Sequence, residues 1–273
     1  MSGTRIQVDG RTVYVGDGSG HPDTNAESVV FVHGAGMDHT VWALPARYFG
    51  RRGLRVAAVD LPGHGRSQGP PFDRIDDMAA WLGDVLDALA MPRAAVVGHS
   101  MGSLVAYRFA ASAPEVCRAL ALLGTSAPMP VTDPLLNAAQ DNHHAAIDMA
   151  NTWSHATGTL GSNANPGVWM LAVGERLLER SAPGVFHADL TACNTFDAGP
   201  AEASIRCPVL VIAGNDDMMT PAQAGLDVAR SLPDARVVRL EGCGHAMLNE
   251  RPNEVLDALI SVVPTTSGGR LAH

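Results

Sequence analysis

Three short stretches of the sequence carry residues that could do covalent chemistry together. In Gly98-His99-Ser100-Met101-Gly102 a serine stands between glycines, after the apolar run AAVV and before the helix-forming LVAYRFAA. A G-x-S-x-G pentapeptide in that setting describes a sharp strand-to-helix turn, where glycines leave room for close backbone and the serine hydroxyl stands at a helix N-terminus. The helix dipole and free N–H groups there favour the negative charge that develops on a carbonyl oxygen under attack. Glycines explain the turn whether or not Ser100 reacts, so its partners decide.

A serine nucleophile needs a base, and the base needs an orienting carboxylate. Eleven histidines make a histidine alone uninformative. Chain order is more selective, because serine-elbow sites place serine, acid and histidine in that sequence, each at a strand end. Downstream of Ser100, PVLVIAG is followed by Asn215-Asp216-Asp217-Met218-Met219-Thr220-Pro221, and RVVRL by Glu241-Gly242-Cys243-Gly244-His245. Asp217 is preferred to Asp216, since the residue farther from the strand has more freedom to reach His245 and D-x-x-T-P then opens the next helix. Either could instead serve as a turn or N-cap aspartate. Gly244 and Ala246 leave the His245 ring little obstructed. Two N–H donors would complete the site: the backbone of Met101, next to the serine, and Ala35, in the loop after FVHG, with Gly34 and Gly36 allowing close approach.

Other reactive-looking residues read as structural. His33 and His64 lie in glycine-rich turns suited to backbone hydrogen bonds, and His99 should point away from Ser100 into packing. His143 and His144 are adjacent, so they face different ways on a helix, and no third ligand stands at useful spacing; no metal is expected. Cys117, Cys193, Cys207 and Cys243 are scattered without a CxxC pair and read as reduced structural thiols. Every strongly basic side chain is arginine, which excludes a Ser-Lys dyad or a Schiff-base lysine. A net charge of −9 with no basic run excludes a nucleic-acid partner. The N-terminus lacks a signal peptide's apolar core and no window reaches the roughly 18 apolar residues of a membrane span, so a cytoplasmic protein with no membrane partner is expected.

The elements that must position these residues follow from patterning. RIQV and TVYV flank Asp9-Gly10 as a hairpin. SVVFV, RVAAVD, AAVVG, ALALLGTS and PVLVIAG are short apolar runs, each ending at Gly, Asp or Ser or running into a glycine-rich turn, as strands buried on both faces do. Helical stretches such as DDMAAWLGDVLDALAM alternate with them, which predicts an α/β architecture: a mostly parallel sheet flanked by helices, with ligands gathering at the carboxyl ends of the strands. The alternation breaks after residue 124 and resumes near 205. Residues 1–124 and 205–264 are therefore assigned to a core domain, 125–204 to an inserted helical cap with a flexible joint at GTLGSNANPG, and 265–273 to a loose tail.

Four motifs in order, FVHGAG at 31–36, DLPGHGRS at 60–67, GHSMG at 98–102, and GNDDMMTP with GCGHAMLNERP near the end, resemble the α/β-hydrolase superfamily over residues 5–264. The resemblance implies a triad of Ser100, Asp217 and His245, a cap over the pocket and no cofactor. Serine at the nucleophile position speaks against haloalkane dehalogenases and epoxide hydrolases, and His99 stands where carbon-carbon bond hydrolases usually show asparagine. GHSMG followed by Ser103 is similar to carboxylesterases and enol-lactonases, which implies hydrolysis of a small ester, thioester or lactone through an acyl-enzyme. Carbon-carbon bond hydrolysis, cofactor-free perhydrolysis and a non-catalytic ligand receptor are the competing expectations. The apolar cap residues Trp153, Trp169, Met170, Leu171 and Phe186 suggest a hydrophobic acyl or aryl pocket, with Trp153, Trp169 and Phe186 as its candidate walls, or else simple packing between cap helices.

Overall fold

The computed structural model describes residues 2–20, 22–157, 169–199 and 204–263. The first two strands, β1 (Gly3–Val8) and β2 (Arg11–Gly16), form the expected hairpin, with Asp9 and Gly10 both at positive φ, 48° and 74°, the backbone of a tight two-residue turn. The chain continues through β3 (Ser28–Val32), α1 (Ala43–Arg51), β4 (Arg55–Val59), α2 (Ile75–Ala88), β5 (Ala94–His99), α3 (Met101–Ser112) and β6 (Cys117–Leu123). After an insertion come β7 (Val209–Gly214), α8 (Ala222–Ser231), β8 (Ala235–Leu240), α9 (Met247–Glu250) and α10 (Pro252–Ile260).

Eight strands form one sheet in the order β1-β2-β4-β3-β5-β6-β7-β8. The hairpin joins antiparallel at β2–β4, and every later pairing is parallel. Strands β3, β5 and β7 are buried along their whole length, which explains why their sequences are continuous apolar runs. Successive residues still serve opposite faces. Val30, Val32 and Val96 pack with Trp81, Leu82, Leu104 and Phe109 of α2 and α3. Val29, Phe31 and Val97 pack with Phe49, Val255 and Leu259 of α1 and α10. Each such side chain removed from water contributes about 1.5–3 kcal/mol, so this two-sided burial dominates the stability of the sheet.

The insertion leaves β6 and returns to β7, which are hydrogen-bonded neighbours. Its helices are α4 (Asp133–Gln140), α5 (His144–Ser154), α6 (Met170–Glu179) and α7 (Val185–Asn194). The expected first helical stretch is divided into α4 and α5 by a turn that carries Asn142 at φ 52°. Helix α7 runs eight residues beyond Phe186, where the sequence reading ends. Leu135, Ala139, Ala146, Ala150, Leu178 and Leu190 form a separate small core between these helices, with Trp153 and Phe186 against it. The expected joint at 158–167 and the tail at 265–273 lie outside the described residues. Among the described residues no helix is long and apolar enough to cross a membrane.

Candidate active site

Ser100 sits between the end of β5 and the start of α3 with φ 55° and ψ −124°, a backbone region that costs a non-glycine residue about 1–3 kcal/mol. Fixed contacts hold it there. The Ser100 N–H donates to the Leu123 carbonyl at 2.9 Å, and the Ser100 carbonyl accepts from the Ser103 N–H at 2.8 Å and the Ser103 hydroxyl at 2.6 Å. The flanking glycines are sterically required: a Cβ on Gly98 would stand 2.0 Å from the Gly102 carbonyl oxygen, and one on Gly102 would stand 2.3 Å from that of Val32. Met101 opens α3, so its N–H has no acceptor one turn back in the helix.

His245 and Asp217 meet as their order in the chain suggested. His245 Nδ1 lies 2.8 Å from Asp217 Oδ2, with both side chains buried, whereas Asp216 is exposed. Asp217 is also a turn aspartate: its Oδ1 accepts the N–H groups of Met219 (2.8 Å) and Thr220 (2.7 Å). Burial alone would raise its pKa. The His245 charge, the His245 hydrogen bond and the two from Thr220 outweigh burial and hold the carboxyl below its ordinary value. Sequence reasoning overlooked Thr220, whose hydroxyl donates to Asp217 Oδ2 at 2.8 Å and lies 3.1 Å from His245 Nδ1. The threonine of D-x-x-T-P was the available signal.

The space around His245 has a different cause from the one its neighbours suggested. Gly244 is small because the end of α5 packs on it, where a Cβ would meet the Ala156 N at 2.6 Å. Glu250 accepts the N–H groups of both Gly244 (2.5 Å) and Ala156 (2.8 Å), and the Ala246 N–H donates to the Ser154 carbonyl at 2.7 Å. Room for the ring comes instead from Gly124 at φ 54°, whose Cβ would lie 3.0 Å from the imidazole. His99 does point away from the serine: its Nε2–H donates to the His245 carbonyl at 2.9 Å. Burial, with the neighbouring His245 charge, lowers the His99 pKa to about 3, so the ring is neutral.

Ala35 lies beside Ser100. A Cβ on Gly34 would stand 3.1 Å from the Ser100 Cβ, and Gly36 takes φ 67°. His33 bonds to backbone as expected, its Nδ1–H donating to the Gly34 carbonyl (2.8 Å) while Nε2 accepts the Leu61 N–H (3.2 Å). Burial and the nearby His64 lower its pKa to about 4. His64 departs from a purely backbone role. One ring nitrogen faces the Pro62 carbonyl at 3.1 Å, but Nε2 meets Asp189 Oδ2 of α7 at 2.7 Å. Burial opposes its charge, yet the Asp189 charge and hydrogen bond raise the His64 pKa above the ordinary value.

A cavity of about 110 Å³ opens where these residues meet, lined by Ala35, Ser100, Trp153, Phe186, Met219 and His245 among others. Trp169 is not in its wall; it is 60% exposed at the start of α6, so of the three expected pocket residues only Trp153 and Phe186 take that place. Among the described residues no arginine, aspartate or glutamate lines the cavity, and Met37, Met129, Met218 and Met219 give it an adaptable apolar surface. His144 stands near Glu175 and Glu179, acids from α6 that sequence spacing could not place beside it, at a largely exposed spot, and none of the three lines the cavity. Cys117 and Cys207, ninety residues apart, bring their sulfurs to 3.6 Å, a proximity that the absence of a CxxC pair did not reveal.

A profile of the α/β hydrolase fold matches residues 27–252, and the chain belongs to that family. It is 30% identical over 241 residues to the pimeloyl-(acyl-carrier protein) methyl ester esterase of Nitrosomonas europaea, spanning 84% of this chain and 93% of that one. It is 32% identical over 246 residues to the 2-hydroxy-6-oxononadienedioate/2-hydroxy-6-oxononatrienedioate hydrolase of Burkholderia vietnamiensis, spanning 81% and 82%. Among solved structures, the enol-lactonase of Burkholderia xenovorans superposes with a TM-score of 0.84 at 23% identity, covering 94% of this chain and 98% of that one, which is a likeness of fold. Within the family the chain is similar in sequence to that esterase and that hydrolase.

Proposed function

We propose that this chain is a serine hydrolase of small, neutral carboxylic esters, thioesters or lactones, with Ser100 as nucleophile, His245 as base and Asp217 as the orienting acid. The observation that carries this reading is the 2.8 Å contact between His245 Nδ1 and Asp217 Oδ2 at the edge of a cavity lined by both Ser100 and His245. With Nδ1–H committed to Asp217, Nε2 is the nitrogen left to take the Ser100 proton as the hydroxyl attacks the carbonyl. The backbone N–H groups of Ala35 and Met101 receive the oxyanion. His245 then returns the proton to the leaving alcohol, thiol or lactone oxygen, and water activated by the same nitrogen releases the acid.

Residues 125–204 act as the cap in this reading, since Leu135, Trp153, Leu178, Phe186 and Leu190 from its helices face the cavity. A site of this size, below the several hundred Å³ common for drug-sized ligands, suits a short acyl group. The absence of arginine, aspartate and glutamate from the described lining favours a substrate without a second carboxylate. The test is labelling and turnover. Wild type should react with a fluorophosphonate probe and hydrolyse p-nitrophenyl butyrate, and Ser100→Ala should lose both. Retained hydrolysis in Ser100→Ala would refute the assignment, and an unlabelled wild type would favour a non-catalytic ligand receptor.

A further inference from the structure

The loop that carries Ala35 is fixed from two sides. In a trans peptide the N–H points opposite to the preceding carbonyl. The Gly34 carbonyl accepts from His33 Nδ1–H (2.8 Å) and from the Met37 N–H (3.2 Å), which sets the direction of the Ala35 N–H. The next peptide is held by the insertion. The Gly36 N–H donates to Asp189 Oδ2 at 2.7 Å, although Asp189 belongs to α7 and lies 153 residues downstream. Asp189 is fully buried, and its Oδ1 has no hydrogen-bond partner among the described residues. Burying a carboxylate with one oxygen unpaired is unfavourable. Its second anchor is His64, whose ring nitrogens both face acceptors and so both carry protons, placing a cation 2.7 Å from the oxygen that grips Gly36.

We propose that Asp189 is a positioning residue for the oxyanion site: from the insertion it clamps the Gly36 N–H, so that docking of α7 on the sheet domain and alignment of the Ala35 donor are one event. This rests on the assignment of Ala35 and Ser100 under the proposed function. Phe186, Leu190 and Cys193 on the same helix line the cavity, so one element both shapes the acyl site and sets the donor. Asp189 itself does not touch the cavity.

The experiment compares wild type, Asp189→Leu, which removes the acceptor, and Asp189→Asn, which keeps an oxygen there. Sites are counted by fluorophosphonate titration carried to completion, so that turnover is expressed per folded active site. Asp189→Leu should lower kcat by at least ~tenfold with KM within ~threefold of wild type, because a misplaced donor acts on the transition state and not on binding. Asp189→Asn should recover most of that loss. A kcat for Asp189→Leu within ~twofold of wild type would overturn the proposal, since a purely structural role changes the number of sites and not their rate. Amide hydrogen exchange of the wild type gives a readout that needs no variant to fold. The Gly36 amide should exchange with the slow amides of α7, as one cooperative unit. Exchange of Gly36 more than ~tenfold faster than α7 would equally overturn it. The exchange result is independent of turnover. Failure of the hydrolase reading, seen as activity in Ser100→Ala, is thus distinguishable from failure of the clamp.

Discussion

Asp217 makes three kinds of contact at once: to the His245 ring, to the Thr220 hydroxyl, and to two backbone N–H groups in its own turn. The backbone bonds occupy Oδ1, so Oδ2 alone faces the imidazole and the carboxylate cannot rotate without breaking them. Asp217→Asn keeps the shape but presents a neutral amide, which no longer stabilises the imidazolium or fixes the tautomer. We expect kcat to fall by about 10³–10⁴ with little change in KM, measured on p-nitrophenyl butyrate. A loss below tenfold would show that the orienting charge lies elsewhere. The placement of Ser100, Asp217 and His245 in the segments that follow β5, β7 and β8 was legible, because strand ends announce themselves by an apolar run stopping at a polar loop. Thr220 and Gly244 were harder to read. Thr220 works through a side chain whose partner is three residues back and a ring 25 residues on, and the need for Gly244 comes from a helix end that only the folded chain brings to it.

Helix α7 illustrates what element-level reading misses. Its Val185–Asn194 segment buries Val185, Asp189, Leu190, Ala192 and Cys193, a broad buried face that includes a charge and so lacks the clean apolar stripe of a surface helix. The charge faces His64 on the sheet side, Nε2 lying 2.7 Å from Asp189 Oδ2, and we expect that pairing to make stability pH-dependent. The groups facing His64 are Asp189, Asp60, the Pro62 carbonyl and the neutral His33 ring. Because the folded pKa of His64 is raised above 6.5, its contribution to stability is fully present below pH 6.5 and is lost as pH rises through the folded value. His64→Gln cannot titrate. The difference in Tm between wild type and His64→Gln should therefore be largest below pH 6.5 and shrink on the alkaline side, followed by thermal unfolding across that range. A difference that grows with pH would contradict the ion pair.

At the scale of the whole molecule, the chain carries a net charge of −9, yet among the described residues no acid lines the cavity, and the walls they form are apolar apart from the catalytic candidates and a few hydroxyls. A substrate carboxylate would meet no arginine among the described residues of that lining. We expect kcat/KM for p-nitrophenyl butyrate to exceed that for the p-nitrophenyl half-ester of succinate by at least ~tenfold, since a buried unpaired carboxylate is costly. An equal or reversed preference would instead favour diacid substrates, the chemistry named in the Burkholderia vietnamiensis relative. The parallel sheet and its insertion were legible because strands buried on both faces have an unmistakable apolar character. The filling of the cavity was not, since whether Trp153 or Trp169 turns inward depends on how helices α4 to α7 settle against one another. One consequence follows from where those helices are spliced in. They leave and rejoin the sheet at hydrogen-bonded neighbours, so the insertion is a removable module as far as strand register is concerned, and a relative's insertion could be transplanted to change substrate range. The Gly36 contact limits that freedom: a transplanted module must bring its own acceptor to the loop between β3 and α1, so selectivity and rate are inherited together.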